Sequence, residues 1–153
     1  MSQSFSAVAL FCEDIREEKA GTITLVGIFP DNINVSKVPM HFAKLAVFTR
    51  INYPVDMKPE RLEVILKDAE GSETNFGSFD QAFIEEAVKR AKEKGAPIVG
   101  LITQIVAPGF PVQKPGRLVV VVKAPKSEVI AGHADIKELP QAATDSNVSV
   151  QPS

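Results

Sequence analysis

Residues 5–35 read FSAVALFCEDIREEKAGTITLVGIFPDNINV, and this stretch decides the fold class. Two runs, Ser6–Cys12 and Thr22–Phe29, flank a short acidic segment. The first run is apolar at consecutive positions, the pattern of a strand buried on both faces or lying centrally in a sheet. The second alternates, with Ile23, Leu25 and Phe29 on one face and Thr22 and Thr24 on the other. Gly27 interrupts the apolar face, where a glycine marks a bulge or a close approach. The connector Glu13–Gly21 is too long for a two-residue turn and ends in a glycine able to take the positive φ that closes a hairpin.

Outward from this hairpin the turn signals continue. Pro30-Asp31-Asn32 precedes a short edge strand, Ile33–Val35. Ser36–Phe42 reads as a crossing loop and Ala43–Tyr53 as the third major strand, broken by Pro54–Pro59. In Arg61–Lys67, Leu62, Val64 and Leu66 point in while Arg61, Glu63 and Lys67 point out, as in a half-solvated antiparallel strand. Ser72–Phe76 is a short return strand. One helix is expected at 79–94, capped by Ser78 or Asp80, with Phe83, Ile84, Ala87, Val88 and Ala91 as its buried stripe and Gly95 as its stop. Ile98–Val106, Arg117–Lys123 and Glu128–Asp135 are strands, and a loop between Pro108-Gly109 and Pro115-Gly116 carries Phe110.

About eight strands, one inserted helix and no β–α alternation predict an antiparallel immunoglobulin-like β-sandwich over 4–137, with the helix in the connection between the sheets. Residues 138–153 have little to bury and read as a disordered tail.

Composition narrows the function class. The 153 residues are 44% hydrophobic and 24% charged, enough for one domain with its own core. A net charge of −2 provides no field toward nucleic acid or an anionic membrane. No apolar run reaches the roughly 20 residues of a membrane span, and the start MSQSFS lacks the features of a secretory signal. The single cysteine, Cys12, forbids an intramolecular disulfide, so a cytoplasmic setting is expected.

The segment Cys12-Glu13-Asp14-Ile15-Arg16-Glu17-Glu18, the following Gly21, and Leu25-Val26-Gly27-Ile28-Phe29 resemble a family of small, uncharacterised bacterial proteins. Their hairpin reads D-x-R-E-E, then G, then L-x-G-x-F. Pro115-Gly116-Arg117-Leu118-Val119-Val120 is similar to the penultimate strand of that family. The resemblance implies a single immunoglobulin-like or C2-like sandwich of bacterial or phage origin, and it carries over no catalytic residue.

No residue set assembles a reaction centre. Glu13, Asp14, Glu17 and Glu18 read as a solvated loop, too few to supply the six to eight oxygens of a calcium site. Arg16 is expected to turn inward onto Asp14 or a carbonyl. Cys12 reads as a core thiol, and His41 and His133 are isolated from it in sequence, without zinc spacing. Lys89, Arg90, Lys92 and Lys94 are interrupted by acids and read as a solvated helix face. No catalytic, cofactor or metal residue is assigned. The expected function is a non-enzymatic binding module acting on a protein partner, or on itself, through loops or a sheet edge. Ile33, Asn34, Val35 and Thr74 stand on the two shortest strands, and Phe110 is the exposed-aromatic candidate. The alternatives are a small-ligand sensor or enzyme with a pocket between helix and sheet, and a self-assembling structural subunit.

Overall fold

The structure, a computed structural model, describes residues 4–140. They form nine strands and one helix: β1 (Ser6–Glu17), β2 (Ile23–Ile28), β3 (Asn32–Val35), β4 (Met40–Pro54), β5 (Leu62–Lys67), β6 (Glu73–Phe79), α1 (Gln81–Glu93), β7 (Ile98–Val112), β8 (Gly116–Lys123) and β9 (Glu128–Glu138). One sheet has the order β2-β1-β4-β7 and the other β3-β9-β8-β5-β6. Their facing sides make one core, from Phe11, Val47 and Ile51 in the first sheet to Leu62, Val64, Leu66, Val120 and Val122 in the second. The molecule is therefore a mainly β, sandwich-like fold. All described strand pairs are antiparallel except β3 with β9, which run parallel.

The sheets come closest where β1 crosses β9. There Gly132 stands against the backbone of Ala9, so close that a Cβ on it would lie 2.6 Å from the Ala9 carbonyl oxygen. At the other side β6 meets β7, with Gly77 against the methyl of Thr103. The chain then passes through α1 from the second sheet to the first, as the sequence predicts.

The helix starts where a cap allows it to. Asp80 is the N-cap, its carboxylate accepting the Phe83 N–H at 2.7 Å. The C-terminus closes on Gly95 at φ +72°: the Gly95 N–H donates to Lys92 O and the Ala96 N–H to Ala91 O, a Schellman pair. Ile84 and Val88 are buried, and α1 packs on β7. Phe83 is a correction to the expected stripe: it is 49% exposed, with its ring 5.4 Å from that of Phe79.

Four further boundaries differ from the sequence reading. The first strand does not stop at Cys12; β1 continues through the acidic segment to Glu17, paired with β2. The turn is only Glu18–Thr22, closed by Glu18 N–H to Thr22 O and by Gly21 at φ +85°. β4 begins at Met40, inside the expected loop, and β7 runs on through Pro108–Pro111 beside it. β9 extends to Glu138, and the Leu139 N–H donates to Val35 O, so 138 and 139 belong to the sandwich. The rest of the expected tail, from 141, lies outside the described residues.

Thr49 is 0% exposed, and its hydroxyl has no partner among the described residues. It lies between Ala9 of β1 and Thr103 of β7 in the register. Valine has the same shape without the unpaired hydroxyl. Thr49→Val is expected to stabilise the fold by ~1 kcal/mol, read as a higher urea midpoint with an unchanged slope; a lower midpoint would show that the hydroxyl is satisfied.

Candidate functional site: the free sheet edges and the hairpin arm

A two-sheet sandwich that does not close into a barrel has four edges, and here they are β2, β7, β3 and β6. Each edge strand can offer the N–H and C=O groups of alternate residues to another chain.

β6 is blunted by its own side chains. Asn75 Oδ1 accepts the Gly77 N–H at 2.8 Å, its amide donates to Glu63 and Ser78, and Glu73 is held by Lys67 and Lys123. Thr74 is exposed on this strand, opposite Leu66. β7 carries Pro108 and Pro111 and lies beside β6 and α1. Phe110 is not in a loop: it is a half-buried residue of β7, opposite Phe42 and packed against the core.

β3 is different. Ile33 and Val35 are buried, while Asn32 and Asn34 are exposed. The Asp135 N–H donates to Asp31 O at 2.7 Å and the Leu139 N–H to Val35 O at 2.8 Å. Those two bonds fix the alternation of a parallel ladder: odd-numbered residues bond β9, and Asn32 and Asn34 turn their backbone groups outward. Thus Ile33, Asn34 and Val35 form one edge, whereas Thr74 and Phe110 stand on two other strands at the opposite side of the sandwich.

Beyond Cys12 the β1–β2 hairpin leaves the sheet plane as an arm. Cys12 is the last residue of β1 paired with β4. Glu17 lies seven positions past Leu10, yet it accepts a hydrogen bond from Gln104, whose place in the register is beside Phe48 and Leu10. The arm therefore bends back over the outer face of its own sheet. This explains why Cys12 and Ala46, which point outward, are 0% exposed. Gly27 is the hinge of that bend, at φ +65° with the Glu13 side chain packed over it; β1 and β2 keep one register on both sides of it, so the bulge expected from the sequence is not formed.

Between the arm and β4 runs an open groove of about 480 Å³, lined by Asp14, Arg16, Val26, Phe29, Phe42 and Lys44 among others. The Asp14 carboxylate accepts the Ile15 N–H and lies 3.8 Å from Arg16 Nε and 3.7 Å from Lys44 Nζ. Arg16 does pair with Asp14, but from solvent and not from the interior. Burial pushes the Cys12 thiol up, against a hydrogen bond at the Asp14 backbone that lowers it, and the Asp14 charge adds to the rise. Both histidines are exposed, His41 in one sheet and His133 in the other. Among the described residues no group of three or more His, Cys, Asp or Glu side chains is placed to hold a metal ion. None of the described helices is long and apolar enough to cross a membrane.

The segment from β1 to the end of α1 contributes to both sheets and includes the arm, β3 and β6. Residues 7–94 of it match a family of unknown function, DUF6941. The chain belongs to that family. This agrees with the resemblance to uncharacterised proteins seen in the first hairpin. No curated protein and no solved structure matches the chain.

The sequence missed two features of this site. The arm was hidden because its polar residues read as loop. β2 was not recognised as an edge, although ITLVGI shows no charge and no proline.

Proposed function

We propose that this family member is a non-enzymatic binding module that takes an extended segment of a protein partner along the β3 edge. The observation that supports it is the pair Asn32 and Asn34, exposed and with outward backbone groups, on a strand anchored by buried Ile33 and Val35. A partner strand would complete the ladder, and the two amide side chains would read its polar groups. We read the setting as cytoplasmic, consistent with a single, buried cysteine, and the sandwich as immunoglobulin-like from its two packed sheets and hairpin connections.

The test is Asn34→Pro. Proline there removes an outward N–H and leaves the bonds to β9 intact. The variant is expected to keep the wild-type unfolding midpoint and to lose the partners that the wild-type chain retains on an affinity column. A folded Asn34→Pro that retains every one of them rules β3 out.

A further inference from the structure

We propose that residues 147–151 of this same chain, NVSVQ, fold back along the outward edge of β3 as an antiparallel strand, which a partner strand must displace. The inference builds on the reading of β3 as the binding edge and names what covers that edge in the free protein. The end of β9 points to it. The Leu139 N–H donates to Val35 O, and the Glu138 carboxylate accepts the Val38 N–H, so the chain leaves the second sheet beside the last residue of β3. β3 and β9 run parallel, so a chain that leaves there and returns along β3 runs antiparallel to it. The outer side of β3 lies two strand spacings from β9, about 10 Å. Residues 140–147 reach well beyond that at about 3.4 Å each, and they include the turn formers Asp145 and Ser146.

One register satisfies side chains and backbone together. The segment alternates strictly: Asn147, Ser149 and Gln151 are polar, Val148 and Val150 apolar. Directly opposed residues of an antiparallel pair point to the same face. With Val148 opposite Val35 and Val150 opposite Ile33, both valines extend the apolar face of β3, whose own Ile33 and Val35 are buried. Ser149 then stands opposite Asn34 and Gln151 opposite Asn32, on the exposed face. A slip of one residue sets the valines beside the asparagines. A slip of two sets Val150 opposite Asp31, or Pro152 opposite Ile33. The backbone phase agrees with the same register: Asn32 and Asn34 direct their N–H and C=O outward, and Gln151 and Ser149 are the residues that would exchange bonds with them. Pro152 follows where an N–H would point away from β3, so its absence breaks no bond and blunts the new edge. Phe29 and Val38, just before and just after β3, are half-buried and leave apolar surface at this edge. Tethering gives the segment an effective concentration on the order of millimolar, against which an outside strand must compete.

Hydrogen exchange at the Asn32 and Asn34 amides of the purified full chain tests the proposal without any partner. The comparison is the double variant Val148→Asp/Val150→Asp, which sets carboxylates at the two positions facing the core and changes nothing within 4–140. The wild-type amides are expected to exchange about tenfold more slowly than those of the variant, at a rate independent of protein concentration. On the affinity column the variant should retain more of each partner than the wild-type chain does. Amides that exchange equally fast in the two proteins overturn the proposal, and Asn34→Pro then decides the binding reading by itself. Protection that rises with concentration overturns it in favour of a strand from a second copy. Protection that the double variant releases, in a protein whose Asn34→Pro form still retains every partner, upholds the docked segment and overturns only the reading of β3 as the binding edge.

Discussion

Ile84→Ala is expected to cost about 2–5 kcal/mol of stability, while Phe83→Ala, one residue away, should cost no more than about 1.5 kcal/mol. Ile84 is 0% exposed and packs where α1 crosses β7; truncating it leaves a cavity between helix and sheet that rigid neighbours cannot fill. Phe83 loses only its half-exposed contact with the Phe79 ring. The phase of the helix causes the difference. Ile84, Ala87, Val88 and Ala91 cluster within one stripe, and Phe83 falls roughly 90° from its centre at 100° per residue. Paired urea denaturation curves decide it. Equal losses for the two variants would mean that the helix is rotated from the orientation described.

This helix also shows how far sequence patterning reaches. Its existence, its Asp80 cap and its Gly95 stop were legible because capping is local chemistry, written within a few residues of each end. Which of two adjacent apolar residues faces the sheet is a tertiary choice. Phe83 is the larger, but an aromatic pair with Phe79 can be made outside the core, and the sheet surface takes the smaller Ile84 and Val88. β5 was legible for the opposite reason. Its inner face is uniformly Leu62, Val64 and Leu66, and its outer face carries Glu63 and Lys67 on either side of a buried Ile65, so the inner face follows the local pattern.

The candidate site was legible in part. The two segments that read as the shortest strands, Ile33–Val35 and Ser72–Phe76, do lie in the edge strands of the second sheet, β3 and β6, although β6 runs to seven residues. Nothing in Ile33–Val35, however, signals that it pairs parallel with a strand a hundred residues later, because parallel pairing has no local turn to announce it. The acidic segment read as a loop because its residues alternate poorly; as an arm folded over the outer face of its sheet it buries little of itself, only Asp14 and Ile15 being half-buried, so strict alternation is not required of it. Phe110 was misplaced by its prolines. Pro108 and Pro111 would break a central strand, but β7 is an edge strand with a partner on one side only, where a missing N–H disrupts a single ladder.

Gly132→Ala should cost at least about 1–3 kcal/mol, although it adds a single methyl group at an ordinary strand φ. The added Cβ would lie 2.6 Å from the Ala9 carbonyl oxygen and 3.3 Å from the carbonyl carbon, both main-chain atoms of the facing sheet. No rotamer change relieves such a contact, so β1 and β9 must move apart along the line where the two sheets meet. Gly100→Ala is the matched comparison. It is also a strand glycine outside the positive-φ region, but its Cβ would meet only the tip of the Arg50 side chain, at 3.1 Å. That guanidinium is the end of a flexible chain and can swing into solvent, so Gly100→Ala should fall within about 0.5 kcal/mol of wild type. Ala9→Gly cannot rescue Gly132→Ala, because the obstruction is the carbonyl oxygen and not the Ala9 methyl. Thermal midpoints for the two glycine variants and the Ala9→Gly/Gly132→Ala double variant complete the test. A Gly132→Ala protein that melts with wild type, or a double variant restored to the Ala9→Gly midpoint, would show that the sheets are not held at backbone contact there.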